Sequence, residues 1–408
     1  MKRRAFTSLP AVLLTPPHLL VEPFRSDPAL SPAPAVEPVP AGSAASSGES
    51  PGVIEGNLPV FFEQLKAELT FPLAWPQSRI GEVRAWQKVA RAKVNELLGQ
   101  SPDATGFDPQ IVDEQPGDGF VQRRLLFKVT RHSRVAATML VPEGPGPFPA
   151  VLLLHDHGAK FDIGKEKLIQ PWDDDTRLAS AQAWAAKYFS GRFVGNELAR
   201  RGYAVLAVDA LGWGDRSGLA YDGQQALASN FFNLGSSLAG LMAHEDVRAA
   251  ELLATLPQVD HRRITALGFS MGGYRAWQVA ALSDHVRAAV SVCWMTTVKD
   301  MMVAGNNTLR GQSAFFMLHP GLYRYLDIPD VATIGAPKPM LFFDGEADPL
   351  FTPAGVAGAY TKLRTVWQAL HADRNLRTKV WPGLGHVFVQ EMQEEAFTWL
   401  DAVTARLT

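Results

Sequence analysis

The sequence is poor in cysteine and in long apolar runs, and its charges nearly balance. A single cysteine, Cys293, excludes an intramolecular disulfide and a zinc site built from several cysteines. No uninterrupted apolar run approaches the roughly 20 residues that a helix needs to cross a bilayer. With 39 Lys and Arg against 41 Asp and Glu, and no basic block with interleaved aromatic residues, the pattern typical of nucleic-acid binding is missing.

What remains is the composition of an ordinary globular enzyme. The 408 residues are 47% hydrophobic and 20% charged, which is typical of soluble folded proteins. The sequence shows no internal repeat at the periods of solenoid proteins. We therefore expect a folded chain that acts on a small molecule.

The N-terminal residues differ from the rest in composition. Arg3 and Arg4 precede Phe6 and a modest apolar stretch, which resembles a twin-arginine export signal. A tract rich in Pro, Ala and Ser then extends to about Gly52, and such a composition buries too little apolar area to offset its ordering entropy. We predict that residues 1–52 are an export signal and a disordered leader, with delivery to the periplasm or the medium. The alternative is a disordered tail on a cytoplasmic protein.

Residues 53–118 read as a helical accessory segment. "FFEQLKAEL" and "VRAWQKVARAKVNELL" carry apolar residues at the spacing of three and four that indicates amphipathic helices. We place the boundary of the main domain at residue 119.

From residue 119 the pattern is that of an α/β domain. "FVQRRLLFKV" and "AATMLV" alternate as paired antiparallel strands do. Short runs that are apolar on both faces follow, with helical stretches between them, which predicts a mostly parallel sheet with helices on both faces. The runs are "PAVLLLHD", "YAVLAVDA", "RITALGFS", "RAAVSVCW", "KPMLFFDG" and "LRTKVWPG", and the helices are predicted over 237–256, 272–282, 353–371 and 389–406. In such sheets ligands bind beyond the carboxyl ends of the strands.

The stretch "LGFSMGGYRAW" holds the strongest motif. Ser270 stands at the end of an apolar run and before a predicted helix, in the pattern G-x-S-x-G of a nucleophile elbow. The glycines allow strand and helix to approach closely while the serine is held above the sheet. The helix N-terminus and the amide of Met271 would then face a developing oxyanion.

A serine nucleophile needs a base and a carboxylate that orients the base. In this kind of fold the chain order is serine, acid, histidine. Asp348 follows one of the last strands in "LFFDGEADPLF", and His386 follows the next in "VWPGLGHVF". We predict Asp348 and His386 in these roles. Asp344 and Glu346 remain alternatives for the acid, and Asp344 also suits a turn.

The stretch "VLLLHDHGAKF" suits a second oxyanion donor. Such a donor comes from a loop after an earlier strand, and we predict the backbone amides of His157 and Gly158. His155 and His157 point the same way in an extended segment, so a metal pair is an alternative. No third ligand follows at a familiar spacing, and we expect no metal and no cofactor.

Two insertions, at about 161–193 and 212–235, should frame the pocket. Trp294 follows the strand "AAVSVC" and either walls the acyl pocket or belongs to the core. Asp215 and Arg216 either line the site or pair structurally. We predict all three as candidate pocket residues.

These segments together resemble a known family. "LLLHDHGAKFDIGKEK", "VDALGWGDRSG", "GFSMGG", "CWMTT", "FDGEADPLF" and "GLGHVF" occur in an order similar to the dienelactone-hydrolase-like branch of the α/β-hydrolase superfamily, including bacterial acetyl xylan esterase-like proteins. The resemblance covers about 120–405. It implies an α/β-hydrolase fold and a cofactor-free serine hydrolase acting on carboxylic esters, with Ser270, Asp348 and His386 as the triad. Dienelactone hydrolases themselves use cysteine, so that particular activity is not implied.

The sequence leaves three functions to be tested. The first is an esterase for short acyl groups on carbohydrate-like or small alcohols. The second is a serine peptidase of the prolyl-oligopeptidase kind, which usually carries a β-propeller before the catalytic domain, whereas the segment before residue 119 is short and helical. The third is a non-catalytic binding protein on the same scaffold. The oligomeric state is not set by the sequence.

Overall fold

A nine-stranded sheet dominates the part of the chain that the computed structural model describes, namely residues 54–55, 58–75, 77–303 and 315–407. The predicted leader over 1–52 lies outside these residues. The strands, in chain order, are β1 Ile54–Glu55, β2 Leu58–Pro59, β3 Gln110–Pro116, β4 Phe120–Thr130, β5 Ser133–Pro142, β6 Phe148–Leu154, β7 Ala204–Val208, β8 Val259–Phe269, β9 Ala288–Val292, β10 Met340–Gly345 and β11 Leu376–Trp381. Strands β1 and β2 form a separate antiparallel pair.

The order of the large sheet is β11-β10-β9-β8-β6-β7-β5-β4-β3. The six strands from β11 to β7 pair in parallel. Strands β5, β4 and β3 continue the sheet in antiparallel fashion. The mostly parallel sheet and the antiparallel pair "FVQRRLLFKV" and "AATMLV" are therefore confirmed.

Helices cover both faces of this sheet. In chain order they are α1 Phe62–Ala67, α2 Val83–Leu97, α3 Asp175–Tyr188, α4 Val194–Arg200, α5 Tyr221–Asn233, α6 Leu238–Thr255, α7 Met271–Leu282, α8 Val298–Met301, α9 Ile328–Thr333, α10 Pro353–Ala369 and α11 Gln390–Thr404. No helix in the described residues combines the length and the hydropathy needed to cross a membrane.

Strand β6 shows how the two faces are built. Its side chains alternate between two separate apolar cores, with Leu152 and Leu154 in one and Val151 and Leu153 in the other. Side chains that point to opposite faces at successive positions must both be apolar when helices cover each face. This is why the predicted strands read as unbroken apolar runs.

The sheet begins earlier than the sequence indicated. Strand β3 lies inside the segment 53–118 that was assigned to helices, and it pairs with β4 at the edge of the sheet. Its Ile111 and Val112 are both more than half exposed, so no alternation of buried and exposed positions marks the strand. Ion pairs from Arg123 to Glu114 and from Arg124 to Asp113 join the two strands instead. The domain boundary at 119 stays a prediction.

Helix α2 of the accessory segment packs into the main apolar core with a face of four buried residues, one of which is Trp86. Trp86 is fully buried, and its Nε1 donates a hydrogen bond to the carbonyl oxygen of Leu73 at 2.5 Å. Next to it, the Gln87 side-chain amide donates to the carbonyl oxygen of Ala336 at 2.5 Å. The accessory helix therefore belongs to the same core as the sheet.

We expect Trp86→Ala to lower the free energy of unfolding by about 3–5 kcal/mol, because a large side chain is removed from a site with no solvent access. The measurement is denaturant unfolding followed by circular dichroism. Val89→Ala, on the exposed side of the same helix, should change stability by no more than about 0.5 kcal/mol. Equal effects of the two changes would contradict the docking of α2 described above.

Candidate active site

The site lies where the strand order reverses direction. Strand β6 has β7 on one side and β8 on the other, both parallel to it. The loops that leave the carboxyl ends of neighbouring strands therefore diverge, and a crevice opens between them. Leu154 pairs with Gly268 near these ends, so the loop beginning at His155 and the turn at Ser270 are neighbours across the crevice.

Ser270 occupies a strained turn between β8 and α7. Its φ of 56° and ψ of −126° are unusual for a residue with a side chain. Its amide donates to the carbonyl oxygen of Val292 at 2.8 Å, which ties the turn to β9. The side chain is thus held above the end of the sheet, at the start of a twelve-residue helix.

Gly272 allows the close approach that this turn requires. A Cβ at this position would lie 1.8 Å from the carbonyl oxygen of Leu154. Backbone atoms cannot move away from such a contact as a flexible side chain could. Helix α7 therefore begins in direct contact with the end of β6, and only glycine fits there.

Three predicted residues meet above this turn. Ser270 Oγ lies 2.8 Å from His386 Nε2, and His386 Nδ1 lies 2.7 Å from Asp348 Oδ2. The other oxygen of Asp348 accepts a hydrogen bond from the amide of Leu350 at 2.9 Å. With the Nδ1 proton donated to Asp348, His386 Nε2 is the acceptor for the serine hydroxyl.

The rival acids have other partners. Asp344 Oδ2 accepts a hydrogen bond from the Tyr360 hydroxyl at 2.6 Å, and burial raises the pKa of the Asp344 carboxyl well above its usual range. Glu346 accepts from the amide of Gly383 at 2.9 Å. Neither hydrogen-bonds to His386, so the geometry favours Asp348.

The loop after β6 holds the two backbone amides predicted as oxyanion donors. Gly158 has φ +57°, and a Cβ there would lie 2.2 Å from the Trp184 ring. The amide of Ala159 donates to His157 Nδ1 at 3.2 Å and is therefore already used. The amides of His157 and Gly158 donate no hydrogen bond to any described residue, which leaves them available to a ligand.

The two histidines of this loop have local partners. His155 Nδ1 lies 2.9 Å from the carbonyl oxygen of Asp156, and its Nε2 accepts from the amide of Ala210 at 3.0 Å. Burial lowers the pKa of His155 well below its usual range and lowers the pKa of His157 to about 3. Both rings are neutral, and His157 packs against Trp213.

In the described residues, two groups of three His, Cys, Asp or Glu side chains lie close enough together to hold a metal ion. One group adds Cys293 to Asp348 and His386. The other consists of Glu166, Asp209 and Asp215, and the Lys165 ammonium lies within 3.0 Å of an oxygen of each. The position among these three carboxylates is therefore taken by the Lys165 ammonium.

The predicted pocket residues have structural partners. Trp294 is almost fully buried, its Nε1 lies 2.9 Å from Met317 Sδ, and its ring contacts Tyr274 and Phe351. It lies in the apolar core, which was the other reading of this residue.

Asp215 and Arg216 lie in ion pairs. Asp215 contacts Lys165 at 2.7 Å and Arg177 at 2.6 Å, and Arg216 makes a bidentate pair with Glu245 at 2.6 and 2.8 Å. Asp215 also lines a polar cavity of about 280 Å³ beside Arg177. A direct contact of either residue with substrate stays a prediction.

Sequence reasoning gave no role to two buried cations beside the site. Lys167, in "GKEK", donates to the carbonyl oxygens of Asp156 and His157. Arg275, on α7, forms a buried pair with Asp246 and reaches the carbonyl oxygen of His155 at 3.4 Å. A charged residue in an otherwise apolar helix turn was the only signal, because neither partner is near in sequence.

The sole thiol provides a test of the packing under the site. Cys293 is fully buried beside the triad, and burial raises the pKa of its thiol well above the usual range. Because a thiolate is needed for attack on a disulfide reagent, we expect no reaction with 5,5′-dithiobis(2-nitrobenzoate) in the native protein at pH 8. Unfolding in urea should release one reactive thiol per chain. Rapid stoichiometric reaction of the native protein would contradict this packing.

This chain is similar to a known protein family and to an individual relative. The model of the Abhydrolase family matches residues 54–375. A relative from Bacillus subtilis (strain 168), named "Putative hydrolase YtaP", is 27% identical over 311 residues, which are 76% of this chain and 97% of the relative.

Two solved structures are similar in fold. The structure of a "putative acetyl xylan esterase" from Bacteroides fragilis NCTC 9343 aligns with a TM-score of 0.60 at 18% identity, over 78% of this chain and 82% of that chain. A glucuronoyl esterase from Solibacter usitatus aligns with a TM-score of 0.58 at 13% identity, over 81% and 96%. The predicted α/β-hydrolase fold is confirmed.

Proposed function

Since the chain belongs to the Abhydrolase family, we propose that it is a serine carboxylic-ester hydrolase that works through an acyl-enzyme. The observation that carries the proposal is the pair of hydrogen bonds that links Ser270 through His386 to Asp348. A serine with a base and an oriented carboxylate is the arrangement that activates a hydroxyl for acyl transfer.

In the proposed acylation step, Ser270 Oγ bonds to the ester carbonyl carbon while His386 Nε2 takes the serine proton. The carbonyl π electrons move to oxygen, and that oxyanion is received by the amides of Met271, His157 and Gly158. Met271 is the first residue of α7, so the helix dipole adds to the stabilisation. Collapse expels the alcohol, which takes the proton from His386.

Deacylation repeats the sequence with water. His386 Nε2 takes a proton from water as the water oxygen bonds to the acyl carbon, and the same amides receive the oxyanion. The serine oxygen then leaves with the proton from His386, and the free acid departs. Asp348 holds the Nδ1 proton throughout and stabilises the imidazolium that forms in both steps.

The substrate class that we propose is short acyl esters of carbohydrate-like or small alcohols. The names of the neighbours, an acetyl xylan esterase and a glucuronoyl esterase, support esters that include a sugar. The peptidase alternative has less support, because the described residues before β3 form two helices and a short strand pair, not a β-propeller.

Export is part of the proposal. The arginine pair and the following apolar stretch at the N-terminus support it. An exported enzyme would meet polymeric carbohydrate esters outside the cytoplasm, which agrees with the substrate class.

The experiment that tests the function is hydrolysis of p-nitrophenyl esters from acetate to octanoate, with an aminoacyl-proline anilide in parallel. We expect activity on acetate that falls with chain length, and little cleavage of the anilide. Ser270→Ala and His386→Ala should each lower kcat by about 10⁴-fold or more, because each removes a member of the proton-transfer unit.

The matched controls are Ser229→Ala and His371→Ala, which change the same residue types at exposed positions and should retain wild-type rates. Cleavage of the anilide without ester preference would favour the peptidase. Failure of a fluorophosphonate to label Ser270 would favour a non-catalytic binding protein.

The assignment of Asp348 as the acid of the triad can be tested by replacing each candidate aspartate with asparagine, which has nearly the same shape. Asp348→Asn should lower kcat by about 10⁴-fold, because the amide no longer fixes the His386 tautomer. Asp344→Asn should keep kcat within about threefold, because Asp344 accepts from the Tyr360 hydroxyl and does not hydrogen-bond to His386, and the amide oxygen can accept the same hydrogen bond. The two variants are compared by kcat on p-nitrophenyl acetate. The reverse ranking would assign the acid to Asp344.

A further inference from the structure

A buried lysine lies directly behind the loop that follows β6. Lys167 has no exposed surface, and its Nζ lies 2.9 Å from the carbonyl oxygen of Asp156 and 2.9 Å from that of His157. These are successive peptide groups of the loop that holds the predicted oxyanion donors, the amides of His157 and Gly158. A single side-chain nitrogen therefore holds both of them.

The geometry of the peptide bond turns this contact into an orientation. In a trans peptide the C=O and the N–H point in opposite directions. The carbonyl of Asp156 shares its peptide plane with the amide of His157, and the carbonyl of His157 shares its plane with the amide of Gly158. Drawing both carbonyls towards Lys167 therefore turns both amides away from it, and neither amide has a partner among the described residues.

Two further side chains donate hydrogen bonds to carbonyl oxygens of the same loop. Trp213 Nε1 donates to the carbonyl oxygen of His157 at 3.0 Å, and Arg275 reaches that of His155 at 3.4 Å. Three successive carbonyl oxygens, those of His155, Asp156 and His157, thus each accept from a buried side chain. The loop cannot rotate its peptide planes without leaving these donors unpaired, which is costly in the interior.

Burying an ammonium group at this position costs desolvation free energy. A carboxylate oxygen, Asp156 Oδ2, lies 3.4 Å from Lys167 Nζ, and the rings of Trp184 and Trp213 lie 5.0 and 6.0 Å away. Burial lowers the pKa of Lys167, yet a charged or a neutral amine would donate to both carbonyls. An apolar side chain would fill the space at less cost, so packing alone does not account for the lysine.

We propose that Lys167 is a positioning residue that aims the amides of His157 and Gly158 at the oxyanion. The inference rests on the proposed esterase function. It assigns to the second lysine of "GKEK" a role in transition-state stabilisation that the lysine exerts through the backbone, without touching the substrate.

The test compares Lys167→Met with a matched control. Lys338 is a half-buried lysine that also donates to two carbonyls, those of Ala280 and Ser283 at 2.7 and 2.6 Å, at the far end of α7. Lys338→Met therefore removes the same chemical group and the same number of hydrogen bonds, and leaves the oxyanion loop unchanged.

The readout is the rate ratio between p-nitrophenyl acetate and its thiono analogue, in which sulfur replaces the carbonyl oxygen. Sulfur accepts hydrogen bonds poorly, so a well-aimed oxyanion hole favours the oxygen ester. We expect Lys167→Met to lower kcat by about 10- to 100-fold with little change in KM, and to lower the ratio. Lys338→Met should keep both the ratio and kcat within about threefold of wild type.

Stoichiometric labelling of Ser270 by a fluorophosphonate distinguishes a failure of the positioning role of Lys167 from a failure of the esterase function. If the wild type hydrolyses esters and Lys167→Met keeps the wild-type ratio, the positioning role is wrong and the esterase function stands. If the wild type neither hydrolyses esters nor labels, the esterase function itself fails.

A second variant covers the case in which Lys167→Met does not fold. Trp213→Phe keeps an aromatic ring and removes one donor to the carbonyl oxygen of His157. We expect a smaller fall in the ratio, and an unchanged ratio in this folded variant would overturn the proposal.

Discussion

The contact between the start of α7 and the end of β6 is the constraint on which the rest of the site depends. Gly272 lies against the carbonyl oxygen of Leu154 so closely that no side chain fits between them. This approach forces the turn at Ser270 into positive φ and brings the first amide of α7 beside the loop at His155. The proposed nucleophile and the proposed oxyanion donor at Met271 are therefore placed by one backbone contact, and the strain at Ser270 is maintained by packing on both sides of the sheet.

The charged residues around the crevice serve mainly to hold loops. Lys165 contacts three carboxylates, Arg216 pairs with Glu245, and Arg275 pairs with Asp246. Buried ion pairs of this kind contribute little net stability, because desolvation offsets their attraction. They do fix geometry, since breaking one leaves an unpaired charge in the interior. The two loops that border the site are thus rigid without being apolar.

Much of this could be predicted because the sequence pattern is local and repetitive. The parallel strands appear as apolar runs that are buried on both faces, and the triad candidates stand directly after three of those runs. Strand β3 could not be recognised, since an exposed edge strand held by ion pairs has no period-two pattern. The roles of Asp215, Arg216 and Trp294 stayed open for a related reason, because their contacts come from residues distant in sequence. Lys167 shows the same limit, as its partners are backbone carbonyls that any sequence supplies.

His386 follows a strand at the edge of the sheet. Strand β11 is an edge strand, paired only with β10, and its side chains are half-buried or exposed. Helix α11 follows the histidine loop, and Gln393 near its start donates to the carbonyl oxygens of Phe189 and Phe388. Proteins open first where backbone pairing and apolar contact are sparse. Local opening of this edge would move His386 away from Ser270 while the strands that hold Ser270 stay folded. Inactivation by heat would then be a partial and reversible event, with the rest of the fold intact.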